Sequence, residues 1–272
     1  MSRDDVDRLL GRRDEPLEKD RDLFETVEEV FDMATVASIL ELMRKKIIRR
    51  ISGVISAGKE ARVYLARGFG DEYLALKIYY TSTAEFKKGI YKYIRGDPRF
   101  TGLKARSTRD LIYAWARKEY GNLKRMWDAG VRVPRPIAFK NNVVVMEFMG
   151  VEGVRYPLLI EAYRDLEAAD LESIYHQVIT ELVKIYCKAR LVHGDLSEYN
   201  IMVTPDLRVV VIDVGQAVDL SHPNAEDLLA RDIRNINRFF SSEAGLKTLS
   251  FEETLGVVKE CRGIEKEDFF QV

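Results

Sequence analysis

Two polar loops separated by a short apolar segment constrain the fold of this chain more than any other feature of its sequence. The first loop reads HGDLSEYN from His193 to Asn200, and the second reads DVG from Asp213 to Gly215. The segment VVVI at 209–212 lies between them and is typical of a buried strand. Carboxylate and amide oxygens are ligands that magnesium takes from proteins. The two loops therefore predict a metal site.

The spacing within these loops matches two motifs of protein kinases. The kinase catalytic loop carries Asn five residues after its catalytic Asp, and a strand then leads to a loop that begins with Asp and has Gly two residues later. Asp195, Asn200 and Asp213 keep this order. In phosphoryl transfer the first acid orients the attacking oxygen, and the other two side chains hold the metal. Two unrelated acidic turns are the weaker interpretation, and His193 is expected to be structural.

A glycine-containing turn precedes this region at Gly53–Glu60. It fits the phosphate-binding pattern GxxxxGK, but Glu60 stands where that pattern needs Ser or Thr. The pattern also needs a helix after its lysine, whereas the following ARVYLA alternates like a strand. A turn between two strands that covers a nucleotide is favoured, although a plain hairpin turn fits these residues equally well.

Lys77 lies inside the apolar segment YLALKIY, where a charged group needs a partner or a place at the sheet edge. The segment ALKI matches the kinase strand whose lysine holds phosphates and pairs with a helix glutamate. Glu119 falls on the apolar face of a predicted helix, between Trp115 and Leu123, and is the natural partner of Lys77. An edge-strand lysine that reaches solvent is the alternative.

Hydrophobic periodicity predicts an α+β protein in two lobes, because strands come first and helices later. The predicted elements are helices at 22–46, 108–129, 171–186, 224–240 and 251–261, a three-stranded meander between Arg49 and Tyr79, and strands near 137–139 and 143–148. The predicted domains are an acidic segment and helix at 1–46, an N-terminal lobe at 47–149 with a flexible basic insertion at 81–107, and a C-terminal lobe at 150–272.

Composition excludes several classes of protein. The chain is 46% hydrophobic and 32% charged, as soluble globular proteins are. No apolar run approaches the ~18 residues of a membrane span, and the charged N-terminus is unlike a signal peptide. Two cysteines without a CxxC pair are too few for a disulfide framework or a zinc site. A reducing, cytoplasmic location is therefore expected, without a membrane or DNA partner.

The net charge of −1 hides an uneven distribution. Residues 1–32 hold twelve acidic against six basic side chains, whereas residues 81–109 hold eight basic against two acidic ones. Aromatic residues lie among the basic ones and are suited to stacking on bases. The segment 81–109 is thus a candidate RNA contact, and a solvated, mobile loop is the alternative. The basic residues are Lys87, Lys88, Lys92, Arg95, Arg99, Lys104, Arg106 and Arg109.

With these motifs the sequence resembles the RIO-type atypical serine/threonine kinases. The segments GKEARVYLA, HGDLSEYNIMV and VVVIDVGQAV carry the resemblance, which covers about residues 20–270. Only about fifty residues precede the glycine turn, too few for a winged helix and a linker, so the subfamily without that domain is expected. The absence of long tails is similar to the archaeal members. The resemblance implies a bilobed protein-kinase-like fold with a truncated, mostly helical C-terminal lobe. It also implies kinase or ATPase activity in maturation of the small ribosomal subunit.

The resemblance further implies roles for individual residues, with ATP and Mg²⁺ or Mn²⁺ as cofactors. Asp195 is the implied catalytic acid, and Asp213 is an implied metal ligand and possible phosphoaspartate. The remaining implied roles are Ala57, Gly58, Lys59 and Glu60 over the phosphates, Val63 and Ala75 against adenine, Lys77 on the phosphates with Glu119 bracing it, backbone groups of Glu147 and Met149 bonded to adenine, and Asn200 as the second metal ligand.

Two departures from ordinary protein kinases bear on the substrate. No Ala-Pro-Glu motif follows the metal loop, and Ser197 stands where ordinary kinases carry a lysine two residues after the catalytic aspartate. Both departures put recognition of a free peptide in doubt. Two other classes stay open: a small-molecule phosphotransferase of the aminoglycoside or choline type, and an RNA-binding assembly factor that uses the nucleotide only as a switch.

Overall fold

The structure is a computed structural model that describes residues 32–81, 84–102, 105 and 107–261, and for 84–88 it describes the backbone. Its helices are α1 (Met33–Arg44), α2 (Ala84–Ile94), α3 (Thr108–Asp128), α4 (Leu159–Ala162), α5 (Ala168–Cys187), α6 (Ala225–Arg238) and α7 (Phe251–Lys259). Its strands are β1 (Arg50–Ala57), β2 (Ala61–Arg67), β3 (Tyr73–Tyr79), β4 (Pro136–Lys140), β5 (Val143–Glu147), β6 (Gly150–Val151), β7 (Val154–Arg155), β8 (Leu191–Val192), β9 (Ile201–Val203), β10 (Val209–Val211) and β11 (Val218–Asp219).

The described residues divide into two compact units. Unit 1 comprises 32–81, 84, 107–117 and 137–148, and unit 2 comprises 85–102, 105, 118–136 and 149–261. The division after Phe148 lies beside the predicted lobe boundary. It differs from the predicted ranges elsewhere, because α1 groups with the sheet and because 85–102 and 118–136 group with the later part of the chain.

Unit 1 is built on a five-stranded sheet in the order β1-β2-β3-β5-β4. The pairs β1–β2, β2–β3 and β3–β5 are antiparallel, so the predicted meander is confirmed. Side chains alternate along β3, and Leu74, Leu76 and Ile78 belong to the buried core. Ala75 and Lys77 therefore lie on the opposite face of the sheet.

Helix α1 packs its apolar side into the same core, where Ile39, Leu42 and Met43 are buried together with β3 and β5 residues. The fully buried Asn142, in the turn between β4 and β5, donates hydrogen bonds to Thr35 Oγ1 at 2.9 Å and to the Tyr79 carbonyl at 2.8 Å. This side chain joins α1 to the sheet. The predicted helix at 22–46 is confirmed for 33–44, and its first ten residues lie outside the described residues.

Helix α3 confirms the helix predicted at 108–129. It begins with a reciprocal cap, in which the Ser107 amide bonds the Asp110 carboxylate and the Asp110 amide bonds the Ser107 hydroxyl. It ends at Gly130, whose φ of 74° is the left-handed conformation that closes a helix. The amides of Gly130 and Val131 bond the carbonyls of Trp127 and Met126.

The basic segment 81–107 differs from the prediction of a flexible insertion without an apolar stripe. It contains helix α2, and Ile90, Tyr93 and Ile94 at three- and four-residue steps are buried. This apolar stripe has only three residues, and lysines and arginines stand between and around them. The sequence pattern was therefore too short to predict a helix. Residues 82–83, 103–104 and 106 lie outside the described residues.

Unit 2 is mostly helical, and its strands form small two-stranded sheets that pair β9 with β10, β8 with β11 and β6 with β7. Helix α5 confirms the helix predicted at 171–186, and α6 and α7 confirm the two predicted after residue 224. Cys187 at the end of α5 and Cys261 after α7 are joined by a disulfide with Cα atoms 5.7 Å apart. The cysteine argument for a reducing compartment therefore loses its basis. None of the described helices is long and apolar enough to cross a bilayer.

We expect Asp32→Ala to lower the free energy of unfolding by about 1–2 kcal/mol. Asp32 is the N-cap of α1, and its carboxylate accepts bonds from the Thr35 amide at 2.8 Å, Thr81 Oγ1 at 3.0 Å and Arg109 Nη2 at 2.9 Å. Urea unfolding measures the change. The matched control is Asp128→Ala, which removes an exposed pair with Lys124 worth about 0.5 kcal/mol. Equal losses in the two variants would contradict the capping role.

Candidate active site

One face of the sheet of unit 1 carries the side chains that were predicted to bind the nucleotide. Val63 is the cross-strand partner of Lys77, and Ala75 is two residues before Lys77, so all three project from the face opposite the buried core. Strand β3 lies in the middle of the sheet, which excludes the edge-strand interpretation of Lys77. The Lys77 ammonium lies 5.3 Å from the centre of the Tyr79 ring.

The predicted phosphate turn, Ala57–Glu60, connects β1 to β2 and is exposed. The Gly58 amide donates to the Ala61 carbonyl at 3.0 Å, which closes the turn. Strand β2 follows Lys59 and Glu60 directly, so this turn is not the loop of a P-loop nucleotidase, which leads into a helix.

The predicted adenine-binding backbone lies at the end of β5. Glu147 is the cross-strand partner of Leu74. The next amide, that of Phe148, donates to the Tyr73 carbonyl at 3.4 Å. Met149 begins the following segment of unit 2, and its carbonyl accepts from the Tyr156 amide at 2.9 Å.

In unit 2, His193 holds the start of the catalytic loop against the strand that leads to Asp213. Its Nδ1 accepts from the Asp195 amide at 3.3 Å, so the ring proton lies on Nε2 and is donated to the Ile212 carbonyl at 3.2 Å. The side chain is fully buried, and this burial lowers the pKa of His193 to about 4. The imidazole is therefore neutral and structural.

The carboxyl group of Asp195 is held from the neighbouring loop. Its Oδ2 accepts from Gln216 Nε2 at 2.9 Å, and its carbonyl accepts from Asn200 Nδ2 at 2.8 Å. The Asn200 carbonyl in turn accepts from the Ile212 amide at 3.0 Å. Burial raises the pKa of Asp195 above its ordinary value, although the charge of Arg231 opposes this shift. Asp195, Asn200 and the residue before Asp213 are thus joined by hydrogen bonds.

The chemistry of Asn200 and Asp213 fits a divalent cation. Because the Asn200 amide nitrogen binds the Asp195 carbonyl, its Oδ1 is left to act as a ligand. Asp213 is exposed and adopts a left-handed conformation with φ 56° and ψ 59°. No group of three or more His, Cys, Asp or Glu side chains suited to a metal occurs among the described residues. Two protein ligands suit magnesium, which takes its other ligands from phosphates and water.

Helix α3 holds the loop after Asp213 through its main-chain carbonyls. Lys118 donates to the carbonyls of Gly215 at 2.9 Å and Ala217, and Asn122 donates to those of Val214 at 2.7 Å and Ala217 at 2.9 Å. Both side chains are fully buried. Burial, followed by the charge of Arg99, lowers the pKa of Lys118 to about 7.

The basic segment reaches the same loop through Arg99. This side chain makes a two-point pair with the buried Asp97, at 2.9 and 2.6 Å. It also donates to Asn122 Oδ1 at 2.6 Å and to the Ala217 carbonyl at 3.5 Å. Arg99, which was predicted as an RNA contact, therefore supports the metal loop.

Helix α6 holds the main chain of the catalytic loop through the side chain of Asp232. The fully buried Asp232 accepts from the amides of Gly194 at 2.7 Å and Leu196 at 2.9 Å. Gly194 has φ 76°, and a Cβ atom there would lie 3.2 Å from the Gln216 carbonyl oxygen. Burial raises the pKa of Asp232 to about 7, in opposition to the two amide bonds.

Sequence reasoning did not select Lys118, Asn122, Gln216, Arg231 or Asp232. Each acts on a loop through contacts that sequence spacing cannot show, and a polar residue on a helix usually faces solvent. The available signal was adjacent charge, as in the pair Lys118-Glu119 and the pair Arg231-Asp232. Glu119 is buried, as its place on the apolar face predicted. Its pairing with Lys77 joins residues of different units and stays a prediction.

Comparison with known proteins gives a consistent result. A model of the RIO domain matches residues 62–254. The RIO-type serine/threonine-protein kinase Rio1 of Haloferax volcanii is 42% identical over 246 residues, which are 88% of this chain and 82% of that protein. Rio1 of Methanocaldococcus jannaschii is 41% identical and is covered to 76% of its length. Human serine/threonine-protein kinase RIO1 is 40% identical, and the match covers 79% of this chain and 37% of that protein.

Solved structures of the Rio2 kinase of Chaetomium thermophilum share the fold. The ADP/Mg²⁺-phosphoaspartate complex matches 81% of this chain and 65% of its own, with a TM-score of 0.60 at 22% identity. A second Rio2 structure matches 85% of this chain and 72% of its own, with a TM-score of 0.60 at 23% identity. The predicted α+β, protein-kinase-like fold is therefore confirmed.

We expect the stability of the protein to fall as the pH drops, in part through His193. Its pKa lies at about 4 in the folded chain against 6.5 for the free side chain, so the unfolded chain takes up the proton first. The contribution is complete at about pH 7.5, one unit above the pKa of the unfolded chain, and about 2 kcal/mol of it is lost as the pH falls to about 5.

The measurement is urea unfolding at both pH values. His193→Gln should be less stable at the higher pH but should lose about 2 kcal/mol less than the unsubstituted protein on acidification. His176→Gln, at a partly exposed site on α5, is the control and should change the pH dependence less. An unchanged pH dependence in His193→Gln would refute the buried neutral imidazole.

Proposed function

This chain belongs to the RIO domain family and is an atypical serine/threonine protein kinase, and from this premise we propose that it transfers the γ-phosphoryl group of ATP, with Mg²⁺ or Mn²⁺, to a hydroxyl group or to water. The observation that carries the proposal is the set of hydrogen bonds joining Asp195, Asn200 and the residue before Asp213. These bonds connect the loop that carries Asp195 and Asn200 to the loop that carries Asp213. Phosphoryl transfer requires such a combination of an acid and two oxygen ligands for the metal.

Asp195 is proposed as the acid that orients the attacking hydroxyl group. The hydroxyl oxygen forms a bond to the γ-phosphorus, the bond to the β-phosphate oxygen breaks, and the hydroxyl proton passes to the Asp195 carboxylate. Its raised pKa makes this carboxylate a better proton acceptor than an exposed aspartate. Gln216 fixes the orientation of the carboxylate by its bond to Oδ2.

Asn200 and Asp213 are proposed to hold the divalent cation. When bound there, the cation would neutralise charge on the phosphates. The main chain after Asp213 keeps its shape through this chain's own residues, because Lys118 and Asn122 donate to its carbonyls.

In unit 1 we propose Lys77 as a phosphate ligand, with Val63 and Ala75 against adenine. A central-strand lysine between apolar residues is typical of a kinase phosphate contact. The exposed turn at Ala57–Glu60 offers main-chain amides that suit phosphate oxygens. Main-chain groups of Glu147 and Met149 are proposed to bind adenine.

Asp213 is also proposed as a temporary phosphoryl acceptor, and turnover would then be ATP hydrolysis. The support is the phosphoaspartate named for the Rio2 complex, together with the exposure of Asp213 in this chain. Incubation with γ-labelled ATP separates the activities. Label removed from the protein by hydroxylamine indicates an acyl phosphate, stable label indicates Ser or Thr, and free phosphate indicates hydrolysis.

The kinase family argues against a small-molecule phosphotransferase, but it leaves the macromolecular partner open. We propose a precursor of the small ribosomal subunit, bound through RNA contacts of the segment 81–109. The support is the excess of six positive charges in this segment of a chain with a net charge of −1. Cytoplasmic location belongs to the same proposal.

We expect Asp195→Ala to slow phosphoryl transfer by ~10²–10⁴-fold and to leave the fold intact, because the acid that orients the hydroxyl group is lost. Asp213→Ala should slow transfer as well and should raise the metal concentration needed for the remaining activity. Transfer of label from γ-labelled ATP measures both. The control is Asp206→Ala, an exposed acid in the turn between β9 and β10, which should behave like the unsubstituted protein. Full activity in Asp195→Ala would contradict the kinase mechanism.

We expect replacement of Lys87 and Lys88 by Ala to flatten the salt dependence of binding to small-subunit ribosomal RNA. The slope of log affinity against log salt should fall by about one to two units, at about 0.7–0.9 for each phosphate contact. Lys92 is left in place because its charge acts on Asp195. The control is the same change at Lys45 and Lys46, which follow α1 and should leave the slope unchanged. An unaltered slope in the first variant would mean that these lysines only face solvent.

A further inference from the structure

A cation from helix α6 lies beside the catalytic carboxylate. Arg231 Nη2 is 4.0 Å from Asp195 Oδ1, and it donates to the Gly194 carbonyl and to Tyr93 Oη at 3.4 Å. The Arg231 Nε atom is buried and makes no hydrogen bond within the described part of the chain. This guanidinium group is thus held through Nη2 alone; Nε is too deeply buried to reach a ligand, and the donors of Nη1 stay unused.

The position of Arg231 is fixed by its neighbour in the sequence. Asp232 binds the amides of Gly194 and Leu196, on both sides of the catalytic residue. The backbone of α6 therefore cannot move relative to the loop without breaking two buried hydrogen bonds. Tyr93 of α2 is buried, and its hydroxyl group accepts from Arg231 Nη2 at 3.4 Å. The main chain at Arg231 is therefore fixed relative to the loop that carries Asp195.

An ion pair with Asp195 does not explain why Arg231 is held at this position. A separation of 4.0 Å between half-exposed groups is at the limit of a salt bridge, and such pairs contribute little to stability. A two-point pair of the kind that Arg99 makes with Asp97 would have used both ends of the guanidinium group. Arg231 therefore lies beside Asp195 with N–H donors that no residue of the described chain uses.

The reaction needs a positive charge at this place. The transferred group carries charge spread over three equatorial oxygens, and cations near it lower the barrier. Ordinary protein kinases place a lysine two residues after the catalytic aspartate, where this chain has Ser197. Lys92 of α2 also affects the charge state of Asp195, but its ammonium lies over the Tyr93 ring at 4.5 Å.

We propose that Arg231 binds an oxygen of the phosphoryl group during transfer and supplies the charge that Ser197 cannot. The proposal rests on the assignment of Asp195 as the catalytic acid, made above. It makes Arg231 a catalytic residue carried by a helix 36 residues further along the chain. Planar donors in a fixed fork suit a phosphoryl group better than a single ammonium does.

The test compares Arg231→Gln and Arg231→Lys with Arg234→Gln, a control one turn along α6. Arg234 lies 4.8 Å over the Phe251 ring and takes no part in the site. The rate of label transfer from γ-labelled ATP is measured in a single turnover, with the affinity for Mg²⁺·ADP and for ADP with aluminium fluoride, which mimics the transferring group. Urea unfolding shows whether each variant is folded.

Arg231→Gln is expected to slow transfer by about 10³-fold, the lower end of the effect of an arginine on phosphoryl transfer. Its affinity for ADP should stay within about threefold, whereas the extra affinity for ADP with aluminium fluoride should be lost by about the same factor as the rate. Arg231→Lys should transfer at a rate between those of Arg231→Gln and the unsubstituted protein. Guanidinium ions added to Arg231→Gln should restore part of the rate. Arg234→Gln should stay within about threefold of the unsubstituted protein.

The proposal is overturned if Arg231→Gln transfers at a rate within about fivefold of the unsubstituted protein, or if it loses affinity for ADP and for the analogue equally. If Arg231→Gln does not fold, Arg231→Met decides by the same two criteria, because it keeps an unbranched side chain but removes the charge and all the donors. Failure of the proposed function looks different, since Asp195→Ala would then retain full transfer whatever Arg231 does.

Discussion

The catalytic loops of unit 2 depend on buried polar side chains that satisfy main-chain groups. The residues around Gly194 and those after Asp213 pair with neither a long strand nor a long helix, so their amides and carbonyls need other partners. Asp232 supplies acceptors for the first loop, and Lys118 with Asn122 supplies donors for the second. Because an unsatisfied buried group costs more than a hydrogen bond gains, each of these side chains fixes one conformation of its loop. The placement of Asp195 and Asp213 follows from this constraint.

The basic segment shares this constraint, because it contacts both loops. Tyr93 of α2 accepts a bond from Arg231, which binds the Gly194 carbonyl, and Arg99 reaches Asn122 and the Ala217 carbonyl. A macromolecule bound to the segment 81–109, as proposed above, would therefore act on Tyr93 and Arg99, which are hydrogen-bonded to residues of the two loops or to their direct partners. The proposed partner would thus have a physical route to both loops through contacts within unit 2.

Much of the fold was predictable because local patterns determine it. The alternation in β3, the apolar face of α5 and the spacing from Asp195 to Asp213 each follow from residues close in sequence. Helix α2 was missed because three buried residues stand among cations, and the Cys187–Cys261 disulfide because 74 residues separate the two cysteines. Lys118 and Arg231 were missed for the same reason, because they bind main-chain atoms about 97 and 37 positions away. Every residue has a main-chain carbonyl group, so the sequence does not show which of them is bound.

Recognition of carbonyl oxygens has a consequence for how this region tolerates substitution over evolutionary time. The hydrogen bonds that Lys118 and Asn122 donate to Val214, Gly215 and Ala217 all end on main-chain carbonyl oxygens. A substitution at Val214 or Ala217 that fits the buried space would therefore leave these hydrogen bonds in place. The side chains that fix the shape of the loop lie on one turn of α3, almost a hundred positions earlier in the chain. A sequence motif restricted to the loop itself would therefore not include them.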